Sequence, residues 1–85
     1  AGCQALFDFA KKKRIVYTTP KRGDLGLIWH PELKRYAHVV FMLDDATLTI
    51  SGNTSGAGSR EGWLIGRRAW RFGPEDRWAR WADIL

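Results

Sequence analysis

The sequence is poor in the residues that staple very small domains: among 85 residues it has one cysteine and two histidines. One cysteine excludes an intramolecular disulfide, and the three residues together give no zinc-finger spacing, so the fold has to be held by packing. Long apolar runs are also missing. The longest, 39–43, is strand length against the roughly 20 residues of a transmembrane helix, and no membrane span is expected. An export signal is not expected either, because Asp8 and then Lys11, Lys12, Lys13 and Arg14 interrupt the first segment in the wrong order. The start at Ala1 without Met leads us to expect a processed or excised segment, truncated at its N-terminus. No metal or cofactor is called for.

What is present reads as one globular domain spanning 1–85. Hydrophobic residues make up 45% and charged residues 27% of the chain, which argues against disorder. The formal net charge is +5, the pI is near 9.9, and five residues are tryptophan. Cys3, Leu6, Phe7 and Ala10 recur at i, i+3, i+4 and i+7, which predicts a helix over 2–12 with the thiol in its first turn and Lys11–Arg14 at its C-terminal end. Thr18, Thr19, Pro20 and Lys21, Arg22, Gly23, Asp24 read as turn chemistry. Strands are expected at 25–29, 38–43 and 46–51, the last two forming an antiparallel hairpin through Asp44 and Asp45, and again at 63–70. The stretch 52–62 reads as a loop. The C-terminus is open between a helix, from the spacing of Trp78, Trp81 and Leu85, and a short edge strand over 78–84. The fold class is therefore α+β, one helix leading into an antiparallel sheet of four or five strands.

A cysteine at a helix start is where thiolate chemistry is most favoured, because free N–H groups and the helix dipole stabilise the anion. With His38 heading a strand and Asn53 ending the next, three polar side chains are expected at one end of the sheet. His30, between Trp29 and Pro31, is assigned to turn duty.

Four segments in this order resemble the CHAP-type and NlpC-type cysteine peptidases and amidases of bacterial and phage cell-wall lysis. They are Gly2-Cys3-Gln4-Ala5-Leu6-Phe7, Pro20-Lys21-Arg22-Gly23-Asp24-Leu25, Ala37-His38-Val39-Val40-Phe41 and Ile50-Ser51-Gly52-Asn53-Thr54. The resemblance implies a papain-like fold and cleavage of amide bonds in peptidoglycan, at a sugar-linked amide or in the peptide stems. It implies Cys3 as nucleophile, His38 as base and acid, and Asn53 as orienting group. Gly2, Ser51 and Gly52 would support the site, with Ser51 standing where many members carry an acidic residue. The setting implied is extracellular, periplasmic or phage-associated, with the chain a monomer.

The competing reading is a basic binding module for cell-wall polymer or single-stranded nucleic acid. In the C-terminal third, Arg60, Arg67, Arg68, Arg71, Arg77 and Arg80 alternate with Trp63, Trp70, Phe72, Trp78 and Trp81, and cationic surfaces with aromatic platforms bind single strands. Nucleic acid is the less expected partner, because a core without staples needs those tryptophans and an anionic wall accounts for the same charge.

Overall fold

A computed structural model describes residues 2–53 and 64–85. One helix, α1 (Cys3–Lys12), leads into six strands: β1 (Val16–Tyr17), β2 (Leu25–His30), β3 (Arg35–Met42), β4 (Leu48–Asn53), β5 (Leu64–Ala69) and β6 (Arg77–Ala79). They form one sheet in the order β1-β6-β2-β3-β4-β5, and every neighbouring pair is antiparallel. The protein is thus α+β with one helix packed on a six-stranded sheet. The expected count of four or five strands falls short because β1 and β6 are only two and three residues long, below the length at which alternation can be read.

The helix packs through the residues its periodicity marks. Ala10 is buried, and Cys3, Leu6 and Phe7 lie against Leu27, Tyr36 and Ala79 of the sheet. Phe7 stacks on Tyr36 with ring centroids 4.3 Å apart, and Trp29 meets Tyr36 edge-on at 5.1 Å. Gln4 adds a polar tie, its Oε1 accepting the Tyr36 N–H at 2.9 Å. After Lys12 the chain reverses through Arg14 at φ 61°, and the Ile15 N–H returns to the Ala10 carbonyl at 3.0 Å.

Strand alternation sorts the core into two layers. On the helix side lie Leu25, Leu27, Trp29, Tyr36, Val39 and Ala79. On the other side Val40, Met42 and Trp78 are buried together, with Ile28, Trp70 and Phe72 packed against them. The segment that follows β5 therefore folds back over the second face and covers part of it.

Two expectations about elements are corrected. The C-terminus is neither a helix nor an edge strand: β6 sits between β1 and β2, followed by a 3-10 turn at Trp81–Asp83. The hairpin of β3 and β4 forms, but β3 begins at Arg35, so His38 lies inside the strand rather than at its head. The loop expected at 52–62 lies mostly outside the described residues, with Gly52 and Asn53 belonging to β4.

Candidate functional site

Cys3 stands in the first turn of α1, preceded by Gly2 at φ 89°, with no side-chain cap on the helix. It is half-buried against the helix-side core. Burial pushes its thiol pKa up, and Arg35 nearby lowers it by less. The helix-start thiolate expected from the sequence is therefore opposed by its surroundings, and the group is a thiol at neutral pH.

His38 faces the other way. In the register of β2 with β3 it pairs with Ile28, while Val39 pairs with Leu27. Val39 and Leu27 belong to the helix-side layer, and Ile28 to the opposite one. The imidazole stacks on Trp70, ring centroids 5.2 Å apart, in that second layer. The sheet thus separates Cys3 from His38, and the expected nucleophile–base pair is not formed. A local irregularity decides this side: register shifts between Ile28 and Trp29, so that Trp29 pairs with Tyr36 and Ala37 is the extra residue. Asn53 ends β4 opposite Leu64, and its side chain lies outside the described residues. Ser51 pairs with Gly66, and alternation from Thr49 sets it on the face of Met42 and His38. Of the proposed catalytic residues whose side chains are described, then, Cys3 and His38 lie on opposite faces of the sheet.

What it does assemble is an aromatic and cationic surface on the second face. Trp70 stacks on His38, and the Arg68 guanidinium lies 4.8 Å from the Trp70 ring centroid. Burial first, then the Arg68 charge, lower the His38 pKa, which keeps the ring neutral at pH 7. Two clefts meet at Trp70 and Arg71. One, of about 240 Å³, is lined by Ile28, Trp29, Pro31, Trp70, Arg71 and the turn 73–76. The other, wider and about 470 Å³, is lined by Thr47, Ala69, Trp70, Arg71 and Phe72.

Asp76 builds the first cleft. Its Oδ1 accepts the Trp29 N–H at 2.7 Å and its Oδ2 the Gly73 N–H at 2.8 Å, tying the end of β2 to the turn before β6. Tyr36 braces the same turn from the helix side by donating its hydroxyl hydrogen to the Glu75 carbonyl at 2.8 Å. Trp70 and Arg71 were visible in the sequence as members of the Arg/Trp alternation. Trp29 and Glu75 were not, since only the fold brings positions 29 and 75 together.

Other sequence candidates have structural duties. His30 accepts the Leu33 N–H on Nδ1 at 3.2 Å and closes the β2–β3 turn. Asp24 of the Gly-Asp-Leu segment is buried and paired with Arg80 at 2.9 Å. Among the described residues, no three His, Cys, Asp or Glu side chains gather to hold a metal, and no helix is long and apolar enough to cross a membrane. Comparison with protein-family models, curated proteins and solved structures finds no match.

Proposed function

We propose that this chain is a basic binding module for bacterial cell-wall polymer, carried by the second face of the sheet. The observation that carries the reading is the Trp70–Arg71 ridge between two clefts, with His38 and Arg68 packed on Trp70. A ridge flanked by two hollows suits a linear polymer laid across it, one unit in each. An indole gives apolar contact to a sugar or peptide unit, and the guanidinium groups meet its anions. The order of the four family-like segments supports the cell wall as the setting. The test is retention on purified cell walls: Trp70→Ala should lower it about tenfold or more, on the scale of a truncated aromatic anchor, while a chain that walls do not retain at all would refute the proposal.

A second reading, a papain-like cysteine hydrolase of peptidoglycan, is favoured by the neutral state of His38 and by strand placement. The segments bearing Asp24, His38 and Asn53 fall on or beside the consecutive neighbours β2, β3 and β4. Against it, Cys3 packs on the face that His38 does not share. Turbidity of cell-wall suspensions decides: lysis abolished by both Cys3→Ala and His38→Ala would establish the dyad and displace the binding module. Retention without lysis is the outcome expected here.

A further inference from the structure

The core does not call for Phe9. The packed stripe of α1 runs through Cys3, Leu6, Phe7 and Ala10, and Phe9 lies outside it, 43% exposed. Its ring stacks on Trp81 with centroids 5.8 Å apart, and Trp81 opens the C-terminal 3-10 turn. Ile84, whose N–H returns to the Trp81 carbonyl at 3.0 Å, is 42% exposed. Phe9, Trp81 and Ile84 therefore bring apolar surface to one end of the molecule, where the last turn of the helix meets the last turn of the chain. Cations flank it. Lys11, Lys12, Lys13 and Arg14 are all exposed, and Lys13 Nζ lies 5.6 Å from the Phe9 ring centroid. Lys12 follows Phe9 by three positions and so neighbours it on the helix surface. The two carboxylates nearest in sequence have partners of their own: Asp83 accepts the Tyr17 hydroxyl hydrogen and stands close enough to Arg80 to favour its charge, and Asp8 accepts from the Gln4 amide.

We infer that the Phe9–Trp81–Ile84 patch with the Lys11–Arg14 run is a docking surface for an anionic lipid bilayer. Exposed apolar side chains beside a cluster of cations adsorb to such a surface, the apolar groups entering at the headgroup boundary while the ammonium and guanidinium groups stay at the phosphates. Neither part holds well alone. A single-stranded nucleic acid would use the cations and the rings, but the aliphatic Ile84 offers it no stacking platform. The patch belongs to the helix side of the sheet and the Trp70–Arg71 ridge to the other, so lipid and wall polymer can be held at once and neither contact rests on the other.

The test is sedimentation of the full chain with phosphatidylcholine vesicles, with and without phosphatidylglycerol. The chain should pellet with the anionic vesicles and not with the neutral ones, and less of it as salt is raised. Phe9→Ser should weaken the partition about tenfold, the scale of withdrawing one apolar side chain from lipid. Ile84→Ser should weaken it too, and that substitution leaves α1 untouched. Lys12→Gln with Lys13→Gln should weaken it about thirtyfold at low salt, the scale of two cations at an anionic surface. Vesicles with brominated acyl chains should quench the indole emission of the parent chain more than that of Trp81→Phe, which reads the position of the patch itself. No pelleting, equal pelleting with neutral vesicles, unaltered partition of both Phe9→Ser and Ile84→Ser, or quenching that Trp81→Phe does not change would each overturn the docking surface. Oligonucleotide binding that the lysine substitutions abolish and Ile84→Ser preserves, in a chain that ignores vesicles, would reassign the patch to nucleic acid. Trp70→Ala should bind vesicles as the parent does, and Phe9→Ser should be retained on lipid-free walls as the parent is, so the failure of one reading leaves the other standing.

Discussion

Gly26 passes beneath Trp78 in the second face of the sheet. A Cβ built on it would lie 2.8 Å from Val40 Cγ2 and 3.3 Å from Trp78 Nε1, and both neighbours are buried. Gly26→Ala should therefore cost about 1–3 kcal/mol, as overpacking does, read as a lowered urea midpoint at constant m value. The Asp24–Arg80 pair makes a sharper test. Asp24 is 1% exposed and accepts from Arg80 Nε and Nη2 and from the Lys21 N–H, while Arg80 also donates to the Thr19 carbonyl and lies over the Tyr17 ring. Arg80→Leu strands a buried carboxylate and should cost about 3–5 kcal/mol. Asp24→Asn combined with Arg80→Leu should lose less than Arg80→Leu alone, because the unpaired charge goes too. His38 gives a pH signature. Burial and Arg68 depress its folded pKa below the usual 6.5, so the unfolded chain binds the proton more readily. Its contribution is complete above about pH 6.5 and is lost as pH falls through the unfolded pKa toward the folded one. The thermal midpoint of the parent chain should drop between pH 7.5 and 5 by more than that of His38→Gln; parallel profiles would remove the assigned cause.

At the scale of elements, the β3–β4 connection turns on one carboxylate. Asp44 Oδ1 accepts the Ala46 N–H at 2.8 Å and the Leu48 N–H at 3.0 Å, and these bonds hold its pKa below the usual range. For a depressed carboxylate, the stabilisation is present above its unfolded pKa, near 4, and fades as pH falls through the lower folded value. Asp44→Ala should accordingly speed amide exchange at Ala46 and Leu48 at neutral pH, with little effect in strong acid, where the parent turn has lost the same bonds. This turn was legible in the sequence because Asp beside small residues writes its own hydrogen bonds. Helix α1 was legible for a similar local reason, its stripe of Cys3, Leu6, Phe7 and Ala10. β6 was not. A three-residue strand between β1 and β2 exists only because Trp78 and Ala79 find partners more than fifty residues earlier, and no local pattern encodes that pairing. His38 failed at the same level: its type and order suited a catalytic histidine, but the bulge at Ala37 fixes which face it joins, and one residue of register reverses every side chain beyond it.

At the scale of the molecule, the sheet divides the protein into two surfaces that should be separable by mutation. The helix side holds Cys3, Phe7 and Tyr36 in a core that stabilises the fold, whereas the far side holds the Trp70–Arg71 ridge and both clefts. A papain-like site would need a thiol on the far side, and the chain's one cysteine is on the near side. Cys3→Ala removes only a half-buried sulfur, so we expect it to cost about 1 kcal/mol or less and to leave wall retention as in the parent chain. Trp70→Ala should behave in the opposite sense, with retention lost and most of the stability kept, because its ring is only partly buried and Val40, Met42 and Trp78 close the core beneath it. Alkylation gives the same division chemically. With its pKa raised by burial, the Cys3 thiol should react with iodoacetamide more slowly at pH 7.5 than a free cysteine, and faster as pH rises toward 9. Retention measured on the alkylated chain should match that of Cys3→Ala. A loss of retention in both, with the urea midpoint of Cys3→Ala unchanged, would tie the near face to the polymer and overturn the division.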